Sequence, residues 1–220
     1  MVPDVLLFDL DGVLVDTYEV WFHLLNDVAR RLGHAPVDRD LYRASWGQGI
    51  EEDVRRFYPG RSIPEINALY EKHYPDHLER LKVMEGAATS LAGWPQPKAV
   101  VTNSPVAIGS RALEVAQLRP FFREVVGCDV VPRSKPAPDG VLEACRRLGV
   151  PPARALMIGD SRFDEGAAKA AGVPFVWFRS FAELRLPAAD AGSRQAARLG
   201  AWTSSRSSSS SPRAGAPLRS

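Results

Sequence analysis

The sequence of 220 residues predicts an α/β protein whose parallel, doubly wound sheet carries an inserted bundle of helices. Three observations predict this class. Short apolar runs alternate with helical patterns over the second half of the chain. The runs are apolar throughout, as is typical of parallel strands buried on both faces. The stretch between the first two runs is too long for a single crossover helix.

Five short runs are the predicted strands, and each stops at polar residues or glycine. They cover residues 5–10, 99–103, 124–128, 155–159 and 174–178. The predicted crossover helices cover residues 109–118, 139–148 and 164–171. The last two are followed by Gly149 and Gly172, and glycine favours the left-handed conformation that ends many helices. We expect right-handed crossovers between these strands.

The segment from residue 17 to residue 86, called the cap below, is predicted to be a helical insertion. Amphipathic stretches at residues 50–57 and 63–81 are separated by a Tyr58-Pro59-Gly60 turn, and Pro75 interrupts the second. The predicted α/β core therefore comprises residues 1–16 and 87–185. Residues 186–220 form a C-terminal segment, with a disordered tail predicted from about residue 201 because Ser, Pro, Ala and Arg dominate it.

Composition indicates a soluble globular protein, with 45% hydrophobic and 25% charged residues. No apolar run approaches the roughly 20 residues of a membrane span, so no membrane association is expected. The two cysteines form no disulfide framework, which favours a cytoplasmic location. The net charge of +2 comes from three arginines in the last 20 residues, without which 25 basic residues face 26 acidic ones. We therefore expect no nucleic-acid partner.

Polar side chains cluster where the predicted strands end. Their positions are Asp9 and Asp11 after the first strand, Thr102 and Asn103 after the second, Asp160 and Asp164 after the fourth, and Lys135 in a proline-rich loop. The carboxyl ends of parallel strands meet at one edge of a sheet, so these groups should converge. Gathered carboxylates require a cation, and a hydroxyl with a lysine suits a phosphate group. The residues alone therefore predict a Mg²⁺–phosphate site.

These motifs resemble, in order and spacing, the four motifs of the haloacid dehalogenase superfamily. Asp9-Leu10-Asp11-Gly12 is similar to motif I, Thr102-Asn103-Ser104 to motif II, Lys135 in its loop to motif III, and Gly159-Asp160 with Asp164 to motif IV. The resemblance covers roughly residues 4 to 180. It implies a Rossmann-like core with an inserted C1 cap, most similar to enzymes of the phosphoglycolate phosphatase type.

The resemblance also implies roles. Asp9 would be the nucleophile that takes the phosphoryl group, and Asp11 would act as general acid and then general base. Thr102, Lys135 and backbone groups near Asn103 would hold the phosphoryl oxygens. Mg²⁺ would be bound by Asp9, the Asp11 carbonyl, Asp160 and Asp164. The expected partner is a small phosphorylated metabolite, and the expected assembly is a monomer or weak homodimer.

Single positions separate the branches of the superfamily. Dehalogenases carry an aromatic residue where Asp11 stands, so an ester substrate is favoured here. The beta-phosphoglucomutase branch has His at the position of Trp21 and Arg at the position of Ile50, so hydrolysis is favoured over mutase chemistry. The alternatives that stay open are such a mutase and a non-catalytic binding protein on the same fold. A response-regulator receiver domain would be shorter and would lack the insertion.

The cap should select the substrate. The loop Trp46-Gly47-Gln48-Gly49 has the glycine content of a segment that approaches the site. Arg43, Trp46 and Gln48 are the residues that we expect to contact the substrate. Packing of Trp46 within the cap and solvation of Arg43 are the alternative for this loop.

Overall fold

The structure is a computed structural model that describes residues 2–186. Its main sheet has five parallel strands in the order β5-β4-β1-β6-β7. The strands are β1 Val5–Phe8, β4 Lys98–Val101, β5 Glu124–Val126, β6 Ala155–Gly159 and β7 Phe175–Trp177. The predicted α/β class is confirmed. The tail predicted from residue 201 lies outside the described residues.

Both faces of the sheet are covered. The three central strands are buried along their whole length, as their continuous apolar runs predict. Leu7 and Met157 pack on one face with residues of two helices, α7 Asp139–Leu148 and α8 Arg162–Ala171. On the other face, the ring of Phe8 stacks on that of Trp94 at 5.9 Å. Successive side chains of a strand point to opposite faces, which explains this division.

The crossover helices begin and end where the sequence predicts, within a few residues. The third one, α6, spans Val106–Val115, and α5 is a short helix at Ala87–Gly93. Helix α8 begins with a capping box, because the Ser161 hydroxyl accepts from the Asp164 amide while the Asp164 carboxylate accepts from the Ser161 amide. It ends at Gly172, whose φ of 70° is left-handed.

The cap consists of four helices and one 3₁₀ segment. The helices are α1 Tyr18–Leu32, α2 Arg39–Ser45, α3 Ile50–Phe57 and α4 Ile63–His73. The amphipathic pattern at residues 63–81 is one α-helix only as far as His73, because Pro75 cannot donate the next helical hydrogen bond, and a 3₁₀ helix follows at Tyr74–Arg80.

A two-stranded antiparallel ribbon lies at the junction of cap and core. It pairs β2 Val15–Asp16 with β3 Lys82–Val83. These strands are too short for any sequence pattern to show. The division of the chain at residues 16–17 and 86–87 stays a prediction. Across residues 2–186, no helix is both long enough and apolar enough to cross a membrane.

Candidate active site

A cleft between the core and the cap collects most of the residues that the sequence singles out. From the core, Asp9, Asp11, Asn103, Lys135 and Asp160 line it. They come from the ends of β1, β4 and β6 and from the loop before α7. Thr102 is buried beside them and contacts Asp11. This is the carboxyl edge of the sheet, where ligands bind in open α/β folds.

Lys135 lies at the centre of this cluster, and its side chain is almost completely buried. Its ammonium group donates to Asp9 Oδ1 at 2.7 Å, to Asp164 Oδ1 at 2.6 Å and to the Val101 carbonyl at 3.0 Å. Burial lowers the pKa of Lys135, but the charges of Asp164 and Asp9 outweigh burial and raise it above the ordinary value. Lys135 is therefore a cation at neutral pH.

Asp9 is the buried carboxylate beside Lys135. Its Oδ1 also accepts from the Leu10 amide at 2.7 Å, so two donors hold one oxygen. Burial, followed by the charge of Asp164, raises the pKa of Asp9 well above its ordinary value, while Lys135 opposes the rise. More positive charge at this edge of the sheet would favour the ionised form of Asp9.

Asp11 points to a different set of partners. Its Oδ1 accepts from the Thr17 hydroxyl, and its Oδ2 accepts from the Ser104 hydroxyl at 3.2 Å and from the Thr102 hydroxyl at 3.5 Å. Burial raises the pKa of Asp11, while hydrogen bonds from Thr17 and Ser104 partly oppose this. A carboxyl group that keeps its proton to higher pH suits a general acid.

Three carboxylates could hold a metal ion. One oxygen from each of Asp9, Asp160 and Asp164 lies within 4.8 Å of the others. Burial and the charge of Asp164 raise the pKa of Asp160 to about 6, so the group shows the mutual repulsion that a divalent cation relieves. Hard oxygen donors are the ligands that Mg²⁺ prefers, so the residues fit this ion.

The backbone near Asp160 leaves room for no side chain. Gly12 has a φ of 84°, and a Cβ placed there would overlap Asp160 Oδ2. Asp164 has hydrogen-bond partners on both carboxylate oxygens. Its Oδ1 accepts from Lys135, and its Oδ2 accepts from the amide and the hydroxyl of Ser161. Of these two carboxylates, Asp164 is engaged by Lys135 and Ser161, which leaves Asp160 as the one that could bind a metal ion more freely.

Asn103 connects the core loop with the cap. Its Oδ1 accepts from the Lys135 amide at 2.8 Å, and its Nδ2 donates to the Lys135 carbonyl at 3.1 Å and to the Gly47 carbonyl at 3.2 Å. A second link is the Ser134 hydroxyl, which donates to the Glu51 carboxylate at 3.1 Å. These contacts indicate that the Asn103 side chain positions Lys135 and the cap loop.

The three cap residues predicted to contact the substrate have different surroundings. Trp46 lines the cleft and packs against the rings of Tyr18 and Tyr42, at 5.1 and 5.6 Å. Gln48 also lines the cleft and donates to the carboxylate of Asp53. Arg43 does not line the cleft; its side chain is 71% exposed and pairs with Asp40.

The sequence analysis predicted no contact in the site for four residues that the structure places there. Thr17 and Ser104 orient Asp11, and Trp21 and Asp53 line the cleft from the cap. Ser104 belongs to the motif II match and Thr17 follows motif I closely, so a role for both could have been predicted from the motifs. Asp53 had a weaker signal: it follows Ile50 by three residues and precedes Phe57 by four, on the face that α3 buries.

A parallel α/β core, a helical insertion after its first strand and a lysine held between aspartates define a capped hydrolase. The chain belongs to the haloacid dehalogenase-like hydrolase family, whose model matches residues 6–178. Its relatives place it among the phosphoric monoester hydrolases of that family. It is 35% identical over 181 residues to a phosphoglycolate phosphatase of Rhodobacter capsulatus, with 78% of this chain and 82% of the relative covered. A phosphoglycolate phosphatase of Nitrosospira multiformis is 34% identical over 179 residues, which cover 76% and 78% of the two chains.

Solved structures show the same fold. CbbY from Rhodobacter sphaeroides in complex with xylulose-(1,5)bisphosphate has a TM-score of 0.74 at 25% identity, covering 84% of this chain and 96% of its own. CbbY in complex with phosphate has a TM-score of 0.68 at 27% identity, covering 86% and 92%.

Proposed function

We propose that this chain is a Mg²⁺-dependent phosphatase that hydrolyses a small phosphomonoester through an aspartyl-phosphate on Asp9. The observation that carries the proposal is the buried contact between Asp9 and Lys135, with the protonatable Asp11 two residues away in the same cleft. A transferring phosphoryl group needs positioning and charge neutralisation above all, and these side chains supply both.

The first step forms a bond between Asp9 and phosphorus. Oδ1 of Asp9 accepts from Lys135 and Leu10, so Oδ2 is the oxygen that we expect to attack. The bond from phosphorus to the alcohol oxygen breaks, and Asp11 gives its proton to that oxygen. In the second step Asp11 takes a proton from water, the water oxygen bonds to phosphorus, and the bond to Asp9 breaks. Inorganic phosphate and the original carboxylate result.

Asp9, Asp160 and the backbone at Asp11 would hold Mg²⁺, with Asp164 behind them. When bound, the ion neutralises phosphoryl oxygens and orients them for in-line transfer. Lys135 adds a fixed cation beside Asp9, and Thr102 supplies a hydroxyl donor. The raised pKa values of Asp9 and Asp160 support a cation here, because positive charge would return both groups to the ionised form.

Hydrolysis is favoured over mutase chemistry by the lining of the cleft. Trp21 and Ile50 stand where the mutase branch has His and Arg, and both side chains line the cleft here. They offer no positive charge to a second phosphate group.

The two cysteines, Cys128 and Cys145, are buried free thiols, which suits the reducing cytoplasm that we propose as the compartment. A monomer or weak homodimer stays the prediction for the assembly.

A phosphate-release screen tests the proposal. The purified chain is assayed with 2-phosphoglycolate, polyol and sugar phosphates, nucleotides and an aryl phosphate, with Mg²⁺ and with EDTA. We expect release from at least one ester, loss with EDTA, and recovery with added Mg²⁺. Undiminished hydrolysis in EDTA would contradict the metal assignment. Isomerisation of a hexose 1-phosphate without phosphate release would establish the mutase alternative.

A further inference from the structure

Asp53 is an acidic side chain on the cap side of the cleft that the proposed chemistry does not use. It lies in α3, on the same face as the buried residues Ile50 and Phe57. It lines the cleft together with Gln48 and Tyr70. Its Oδ1 accepts from Gln48 Nε2 at 2.6 Å, and its Oδ2 accepts from the Tyr70 hydroxyl at 3.3 Å. The carboxylate is therefore held in place and faces the space that a substrate would occupy.

Counting protons shows that this network is short of donors. The Tyr70 hydroxyl has one proton but two acceptors in reach, Asp53 Oδ2 at 3.3 Å and the Tyr58 hydroxyl oxygen at 3.2 Å. Tyr58 cannot return a proton, because it donates to the Leu25 carbonyl at 3.0 Å. An ionised carboxylate accepts about four hydrogen bonds. Among residues 2–186, the Asp53 carboxylate accepts one hydrogen bond from Gln48 and competes with the Tyr58 oxygen for the single proton of the Tyr70 hydroxyl.

Burial raises the pKa of Asp53 to about 7, although the hydrogen bonds from Gln48 and Tyr70 oppose the rise. A ligand group that donates a hydrogen bond would supply what the cap lacks. A ligand carboxylate would instead place a second negative charge beside Asp53, at a cost that is large in a partly buried site.

The charges along the cleft lead to the same conclusion. Of the described residues that line it, Lys135 is the one with a basic side chain, and its ammonium group is engaged by Asp9 and Asp164. The cap contributes Asp53 and no lysine or arginine to this lining. Arg43, which could have supplied a cation, is exposed and pairs with Asp40. A second anionic group on the substrate would therefore find no counter-charge among the described cap residues that line the cleft.

We propose that Asp53 is a specificity-determining residue that selects phosphomonoesters whose alcohol portion carries hydroxyl groups and no carboxylate. This inference rests on the phosphatase function proposed above and deepens it. It sets this chain apart from the substrate in the name of its curated relatives, because 2-phosphoglycolate carries a carboxylate next to the ester carbon. A polyol or sugar phosphate has hydroxyl groups that can donate a hydrogen bond to Asp53. It has no second anionic group that would require a basic side chain from the cap.

A matched pair of substrates isolates the effect. 2-Phosphoglycolate and 2-hydroxyethyl phosphate have the same ester linkage and differ in carrying a carboxylate or a hydroxymethyl group beside it. We expect wild-type kcat/KM to be at least about tenfold higher for the hydroxyethyl ester, a difference of about 1.4 kcal/mol. Asp53→Asn should move the ratio of the two values by about tenfold toward 2-phosphoglycolate. The amide keeps an oxygen for Gln48 and gains a donor for Tyr70, so the fold should persist.

Two further variants separate selection from a structural role. Glu52→Gln removes a neighbouring charge that pairs with Arg55, and it should leave the substrate ratio unchanged. Tyr70→Phe removes a donor to Asp53, so it should increase the preference for the hydroxyethyl ester, opposite to Asp53→Asn. Melting temperatures identify any variant that fails to fold.

The outcomes distinguish this inference from the function beneath it. Phosphate release with a wild-type preference for 2-phosphoglycolate, or a ratio that Asp53→Asn leaves unchanged, overturns the role of Asp53 and leaves the phosphatase function intact. A folded chain that releases phosphate from no ester overturns both. Opposite shifts in Asp53→Asn and Tyr70→Phe, with Glu52→Gln unchanged, are the result that we expect.

Discussion

The ammonium nitrogen of Lys135 lies 2.7 Å from Asp9 Oδ1, and both side chains are buried. The same nitrogen lies 2.6 Å from Asp164 Oδ1. One buried cation thus stands between two buried carboxylates, and the fold tolerates this charge because each group compensates another. Burial and the charge of Asp164 raise the pKa of Asp9, and the ammonium group of Lys135 opposes that rise.

Lys135→Met should therefore lower the free energy of unfolding, and the loss should be larger at high pH than at low pH. Removing one partner of a buried ion pair costs about 3–5 kcal/mol of unfolding free energy. Without the cation, the pKa of Asp9 rises further above its unfolded value. Stability is then retained at low pH, where Asp9 is protonated in both states, and is lost as the pH rises.

Urea unfolding in EDTA at about pH 5.5 and about pH 8 measures this effect. The stability difference between wild type and Lys135→Met should be larger at the higher pH. An equal difference at both values would show that Lys135 does not compensate the buried carboxylates.

Asp11→Asn should separate substrates by their leaving group. An alkyl alkoxide needs a proton, so loss of the general acid should slow alkyl ester hydrolysis by about 10²–10⁴-fold. p-Nitrophenolate leaves unprotonated, so one burst of it should persist even when later turnovers are slow. Stopped-flow absorbance measures the burst. Asp16→Asn is the control, because an amide still accepts from Tyr18 and Asp16 lies outside the cleft lining. Equal losses with both kinds of ester would argue against proton transfer by Asp11.

Asp53 should make stability depend on pH. Its pKa is raised by burial from 3.8 to about 7, so the folded state prefers the protonated form. The groups facing it are Tyr58 and Tyr70 from the network and the acids Glu51 and Glu52 of its own helix. The contribution of protonated Asp53 to the free energy of unfolding is present in full below about pH 4, and it is lost as the pH rises toward about 7.

Asp53→Asn has no such titration. The unfolding free energy of the wild type minus that of this variant should therefore fall by on the order of 4 kcal/mol between about pH 4 and about pH 8. A difference that rises over this range would mean that the folded protein prefers Asp53 ionised.

Asn103 should affect the rate through Lys135. Its side chain makes hydrogen bonds to the amide and the carbonyl of Lys135 and to the Gly47 carbonyl. Asn103→Ala should lower kcat by about 10–100-fold, because small displacements of a positioned group are costly. Ser134→Ala removes a cap contact of the same loop without touching Lys135, and it should leave kcat within about threefold. Steady-state kinetics with one ester compares the two, and similar kcat values would contradict the positioning role.

Sequence was sufficient where structure follows from local pattern. The strands ending at Asp9 and Asp160 are continuous apolar runs, and parallel topology brings their carboxyl ends together. The ends of helices at Gly149 and Gly172 could be predicted because glycine adopts left-handed φ at low cost.

Sequence was insufficient where orientation depends on packing between distant segments. The acceptor role of Asp53 arises when α3 packs on α4 and brings the Tyr70 hydroxyl, 17 residues along the chain, to its carboxylate. Tyr58 contacts the same Tyr70 hydroxyl. In isolation, the Glu51-Glu52-Asp53 run is typical of the solvated first turn of a helix. Arg43 shows the converse: its place near the glycine loop suggested a contact, but the turn of α2 directs it to solvent.

The phosphorylation state of Asp9 during turnover is the most direct test of the proposed chemistry. Asp11→Asn with p-nitrophenyl phosphate should form the aspartyl-phosphate and hydrolyse it slowly, because the general base is missing. After acid quench and peptic digestion, mass spectrometry should find the peptide that contains Asp9 heavier by one phosphoryl group. The amount should equal the p-nitrophenol burst. A burst that leaves this peptide unmodified would contradict Asp9 as the nucleophile.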